Sequence, residues 1–142
     1  LGPPIVALKL GDQGLYLRVS EDRKRLNKIG RCELSDASVW AGKRLLAPCF
    51  QTDVVGTTGS GDCTIAGFLA ALLKGLPPEQ ALCSAVAVGA CNVEDADAVS
   101  GVRHWDKVQQ RIAGGWARRP VSLDMADWQW DESAGVYAPR QP

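Results

Sequence analysis

Nothing in this 142-residue sequence offers a membrane span: its longest apolar stretch is far shorter than the about 20 residues that cross a bilayer. No basic segment leading into an apolar core opens the chain, so no secretory signal is read there. An excess of one charge is missing too, because 16 Lys and Arg stand against 16 Asp and Glu. The basic residues are scattered apart from Arg23, Lys24 and Arg25, which leaves no electrostatic footprint for nucleic acid or an anionic membrane. Histidine occurs once, at His104, and the five cysteines, Cys32, Cys49, Cys63, Cys83 and Cys91, are odd in number with no C-x-x-C spacing. Neither a metal-ligating set nor a disulfide framework is expected, and reduced thiols in a cytoplasmic protein are. Internal repeats, heptads and low-complexity tracts are also missing. An initiator methionine is absent as well: the chain begins at Leu1 and runs almost at once into a strand pattern, the expectation for a piece of a longer protein.

What is present is enough for one domain, which at this length buries about 70% of its unfolded surface. Ile5 to Leu10 and Leu15 to Val19 are β-rich runs around "GDQG", so residues 5–19 read as a β-hairpin. Residues 20–43 are polar and aperiodic and read as loops with one or two short strands, followed by a short extended piece, "RLLAPCFQ". After Asp62, the residues Ile65, Phe68, Leu69, Leu72 and Leu73 form the stripe of an amphipathic helix, ended by Gly75 and two prolines. Pro78 and Glu79 open a second helix that is apolar nearly all round and is expected to be buried. Trp105, Val108 and Ile112 suggest a third, and an aromatic tail without regular period follows from Trp116, expected to pack on the domain surface. This order of elements predicts a layered α/β domain with helices packed on a mainly parallel sheet, and a ligand at the strand ends beside a helix start.

The chemistry concentrates in "GTTGSGD", Gly56 to Asp62. Glycines just before a helix let its unpaired N–H groups and partial positive charge close on a phosphate, and Thr57, Thr58 and Ser60 add hydroxyl donors. Gly56 and Gly61 have the glycine spacing of a Walker A loop, but Asp62 stands where that motif requires lysine, and Thr64 breaks the dinucleotide pattern. A carboxylate beside a bound polyphosphate is repulsive unless a metal intervenes or the acid faces a neutral group. One reading is that Asp62 accepts a hydrogen bond from a substrate hydroxyl while neighbouring N–H groups hold the transferred phosphoryl. The other is that Asp62 is a helix N-cap and Gly-Ser-Gly ordinary turn material.

"TTGSGDCTIAGFLAALL" resembles the second signature of the ribokinase-like (PfkB) carbohydrate kinases, a D-T-x-G-A-G-D stretch before a helix whose last Asp is the catalytic base. "VALKLGDQGLYL" is similar to the family's upstream hairpin, and "PPEQALCSAVAVGACNV" to its following Ala-rich helix. The resemblance covers about residues 5–113. It implies a partial ribokinase-like fold, with residues 1–115 the C-terminal, nucleotide-binding part of the kinase domain and 116–142 an appended tail. It implies ATP-dependent phosphoryl transfer, with Mg²⁺, to a hydroxyl of a sugar or nucleoside-like substrate.

By position, Asp62 would be the base, and Gly59, Ser60 and Gly61 the anion hole, supported by Thr57 and Thr58. Lys9, Gly11 and Gly14 would border the nucleotide, and the helix bearing Val86, Ala90 and Asn92 would line the adenine pocket. Gly56 stands where the family usually has an Asp that helps bind an activating monovalent cation, which argues against potassium. "ADAVSG", Ala96 to Gly101, also departs from the family pattern nearby. The family's sugar-binding half and its Asn-x-x-Glu motif precede the hairpin and are not in this sequence. A homodimer is left open. Two rival functions also stay open: a non-catalytic nucleotide-binding relative, and a protein-interaction module built on the tryptophans. His104 reads as a helix-flanking surface residue, and Trp128 and Trp130 as packing groups.

Overall fold

A computed structural model describes residues 2–29, 34 and 36–140, so Cys32 lies outside the described residues. The hairpin forms as its alternation predicts: β1 (Ile5–Lys9) pairs antiparallel with β2 (Leu15–Val19), Ile5 opposite Val19 and Lys9 opposite Leu15. A single 3-10 turn over Gly11–Gln13 joins them. The polar segment after β2 holds two one-turn helices rather than strands, α1 (Arg23–Leu26) and α2 (Ala37–Trp40). Each is started by an aspartate, Asp22 or Asp36, whose side chain accepts from a backbone N–H two residues on.

The extended piece becomes β3 (Arg44–Ala47), antiparallel to β2 with Leu15 opposite Ala47. The three longer helices follow: α3 (Ser60–Leu73), α4 (Pro78–Asn92) and α5 (Trp105–Ala113). The tail then returns to the sheet as a hairpin of β4 (Trp128–Asp131) and β5 (Val136–Pro139), in which Asp131 accepts from the Ser133 and Ala134 N–H groups to shape the turn. β5 joins β3 with Tyr137 opposite Leu46, and the strand order is β1-β2-β3-β5-β4.

Every pairing among the described strands is antiparallel, which corrects the expectation of a mainly parallel sheet. A parallel pair needs a crossover that brings the chain back in the same direction. Here β1, β2 and β3 reverse at each step, and the long helical excursion from β3 delivers β5 running the opposite way.

Leu15, Leu17 and Val19 point to one face of the sheet, and the core lies between that face and α4, which contacts both β2 and β3. Every residue of α4 from Ala81 to Asn92 is buried, as an all-round apolar helix demands. The α3 stripe differs from its periodicity. Phe68 and Leu72 are buried, but Ile65, Leu69 and Leu73 are exposed, and the covered face runs instead through Thr64, Gly67 and Ala71. Small residues let α3 approach α4 closely: a Cβ added at Gly67 would lie 3.0 Å from the Val88 side chain.

Candidate functional site

The start of α3 is made by the glycine loop. Gly59 occupies the position before the helix with φ of 75°, a left-handed conformation that suits glycine. A Cβ there would also lie 2.3 Å from the Ala98 carbonyl oxygen. Asp62 is therefore not the cap: it sits in the first helical turn, and among the described residues its carboxylate accepts no hydrogen bond. The loop is held from behind. Val55 and Gly56 donate to the Val93 carbonyl at 2.8 and 3.2 Å, and Asn92, fully buried, donates through Nδ2 to the Thr58 carbonyl at 2.9 Å. Among the described residues the Asn92 Oδ1 has no hydrogen-bond partner. Lys9, at the end of β1, reaches across to the same helix start and donates from Nζ to Ser60 Oγ at 2.9 Å.

Beside this helix start lies a cavity of about 420 Å³. The β1–β2 turn contributes Lys9, Gly11, Asp12 and Gly14; the chain after β3 contributes Cys49, Phe50, Thr52 and Val54; α4 contributes Val86, Gly89 and Ala90, with Val93 just beyond its end. Thr57, Ser60 and Thr64 complete the wall on the α3 side, and Arg119 enters from the tail. Lys9, Gly11, Gly14, Thr57, Ser60, Val86 and Ala90, dispersed in sequence, thus meet around one space. Thr58, Gly59, Gly61, Asp62 and Asn92 lie off its wall, the first four in the loop and helix start and Asn92 behind them. Sequence reasoning passed over Asp12, Cys49, Thr52, Thr64 and Arg119. Asp12 and Thr64 could have been found by their place next to the motifs; Arg119 had no local signal.

A second polar cluster braces the loop. Glu94, just past α4, is gripped by Arg111 of α5 through two hydrogen bonds of 2.6 and 2.8 Å, and the Thr52 hydroxyl donates to it as well. The Arg111 hydrogen bonds hold the Glu94 carboxyl below the usual carboxylate range, against the opposing effect of burial. Arg111 also lies 3.5 Å from the centre of the Trp116 ring. Burial pushes the Cys49 thiol up, so it lines the cavity as a neutral group. His104 is exposed just before α5, and Trp128 packs edge-on against Tyr16 with ring centres 6.2 Å apart.

The residues do not fit a monovalent-cation site built on an acid at position 56. A Cβ on Gly56 would lie 2.8 Å from the Ala96 carbonyl oxygen and 3.0 Å from that of Asp95, too close for any side chain without movement of that segment. Among the described residues no group of three or more His, Cys, Asp or Glu side chains could hold a metal ion by itself. No described helix is long and apolar enough to cross a membrane.

The fold has counterparts in solved structures. A nucleoside kinase of Methanocaldococcus jannaschii, an archaeal member of the ribokinase family, is 22% identical and superposes with a TM-score of 0.60, covering 78% of this chain and 30% of its own. The ribokinase of Thermotoga maritima is 24% identical with a TM-score of 0.56, covering 77% and 30%. The ribokinase of Arabidopsis thaliana, solved with ribose and ATP, is 23% identical with a TM-score of 0.58, covering 75% and 28%. The chain therefore has a ribokinase-like α/β fold and spans only about 30% of the length of these relatives. No curated protein matches it. The family model of the pfkB family carbohydrate kinases matches residues 34–105, half of the chain, and includes the glycine loop, α3 and α4. The chain belongs to the pfkB family of carbohydrate kinases.

Proposed function

We propose that the chain supplies the nucleotide-binding and phosphoryl-transfer part of an ATP-dependent kinase acting on a hydroxyl of a sugar or nucleoside-like substrate. In this reading residues 1–115 are the C-terminal part of the kinase domain and 116–142 an appended tail. The observation that supports it most is the juxtaposition of a glycine-started helix, a lysine bonded to its first residue, and an adjoining cavity of about 420 Å³. That volume lies within the range of small-molecule sites, about 300–1,000 Å³. The substrate class follows the relatives, one a nucleoside kinase and one solved with ribose and ATP.

The backbone N–H groups of Gly59, Ser60 and Gly61 at the positive end of α3 would hold the transferring phosphoryl oxygens, with the Lys9 ammonium adding charge. Asp62 would accept the hydrogen bond of the acceptor hydroxyl. As that oxygen bonds to the γ-phosphorus and the bond to the β-phosphate oxygen breaks, the proton passes to the Asp62 carboxylate and ADP leaves. In a loose transition state the proton moves late, so Asp62 acts first by orienting the nucleophile. Magnesium would arrive on the nucleotide phosphates and supply charge neutralisation there.

The test is Asp62→Asn in the full-length protein. Loss of a positioned acid–base group costs about 10²- to 10⁴-fold in kcat. Because Asp62 has no hydrogen bond to lose among the described residues, ATP affinity and melting temperature should hardly change. Turnover near that of wild type would overturn the assignment.

A further inference from the structure

Three arginines stand close together in the segment that leads from α5 into the tail, and two of them are fully engaged in structure. Arg111 grips Glu94 with two hydrogen bonds and lies on the Trp116 ring. Arg118 donates to the Pro48 carbonyl at 2.8 Å and lies 3.7 Å from the centre of the Phe50 ring. Arg119 differs. Its side chain makes one hydrogen bond among the described residues, 3.4 Å to Asp12 Oδ2, in a pair whose side chains are 41% and 61% exposed. A guanidinium has five N–H donors, so most of this one's capacity is unused, and an exposed pair of this kind is worth little and is readily exchanged. Yet Arg119 is part of the cavity wall.

Its backbone, by contrast, is pinned. Arg119 N donates to the Cys49 carbonyl and Gln51 N to the Ala117 carbonyl, each at 2.8 Å, and Ser122 N donates to Gln13 Oε1 at 2.7 Å. The tail segment around Arg119 is thus tied both to the chain after β3 and to the Gly11–Gln13 turn, and it presents a cationic plane at the cavity wall. Residue 119 lies outside the family match over 34–105, so nothing in that match assigns it.

We propose that Arg119 is a nucleotide-contacting residue of this chain, exchanging its Asp12 contact for the nucleoside moiety rather than for the phosphates. The inference rests on the nucleotide reading above. Lys9 is already placed at the helix start by its bond to Ser60, where a phosphate would sit. Arg119 is held instead beside the Gly11–Gln13 turn, its backbone N–H on the Cys49 carbonyl and its guanidinium on Asp12, and it shares the cavity wall with Phe50, Val86 and Ala90. Such a wall suits a flat base, and a planar guanidinium both stacks on a ring and donates to its nitrogen and carbonyl acceptors, which an ammonium cannot do equally.

Calorimetric titration of the full-length protein with magnesium ATP and, separately, with adenosine tests this. Arg119→Ala should weaken both ligands by a similar factor, about tenfold, with Arg119→Lys failing to restore them and the ligand-free melting temperature nearly unchanged. Lys9→Ala should weaken ATP and spare adenosine. Wild-type affinities in Arg119→Ala, or a loss confined to ATP, would overturn the proposal, while the Lys9→Ala loss would show that the nucleotide reading itself stands. Failure of the wild-type protein to bind either ligand would remove that reading and the proposal with it. If Arg119→Ala does not fold, Arg119→Lys decides alone: wild-type affinity for adenosine in that variant counts against the planar contact.

Discussion

Lys9 and Ser60, 51 residues apart in the chain, are joined by a 2.9 Å hydrogen bond that sets the end of the first strand against the first turn of α3. The contact places a positive charge where the helix already concentrates its own partial charge and unpaired N–H groups. The neutral Ser60 hydroxyl holds the Lys9 ammonium at the helix start, where it would meet an arriving anion.

Lys9→Met should therefore weaken ATP binding by about tenfold or more, since hydrogen bonds to a charged group contribute about 1.5–3 kcal/mol. The loss should shrink as salt is raised, because part of it is screened Coulomb attraction. Titration at two ionic strengths checks both statements, and an affinity equal to wild type at low salt would remove Lys9 from the site.

Gly59→Ala should destabilise the protein by more than the about 1–2 kcal/mol that a left-handed conformation costs an ordinary residue. The added methyl would also meet the Ala98 carbonyl oxygen, at 2.3 Å before relaxation. Thermal unfolding should show a melting temperature lower by several degrees, and nucleotide affinity should fall with it as the loop moves. A melting temperature equal to wild type would mean that this backbone conformation is not the one adopted.

Glu94→Gln tests the brace behind the loop. The Glu94 carboxyl is held below its ordinary value in the folded chain, so the pair contributes stability above the unfolded carboxylate pKa of about 4.3. That contribution is lost as pH falls through the lower folded value. Because the Glu94 and Arg111 side chains are partly exposed, the difference between wild type and variant at pH 7 should be about 1 kcal/mol. It should narrow as the pH is taken below about 4. Denaturant unfolding at pH 7 and pH 3 measures the gap, and a gap that widens on acidification would contradict the assignment.

Local elements were legible where one short-range signal dominated. The alternation of Leu15, Leu17 and Val19 and the glycines of the turn marked the hairpin, and the apolar run of α4 marked a helix buried on every side. In α3 two signals competed. The sequence stripe ran through Ile65, Phe68, Leu69, Leu72 and Leu73, but only Phe68 and Leu72 of it are buried, and Thr64, Gly67 and Ala71 complete the covered face, with a Cβ added at Gly67 already 3.0 Å from the Val88 side chain. The β4–β5 hairpin had no readable period, since Tyr137 is placed by pairing with β3, and Trp128 and Trp130 by pairing with β5 and by ring contacts.

Dihedral preferences and side-chain spacing act over a few residues, and they suffice for the hairpin, the three long helices and the glycine loop at the start of α3. Packing in three dimensions makes the sheet antiparallel, leaves Asp62 past the cap with its carboxylate unclaimed among the described residues, and brings Lys9 and Arg119 to one cavity. The last of these rests on partners 51 and 107 residues apart, Lys9 with Ser60 and Arg119 with Asp12. No local preference encodes such a meeting; it follows from how the helices and the tail pack against the sheet.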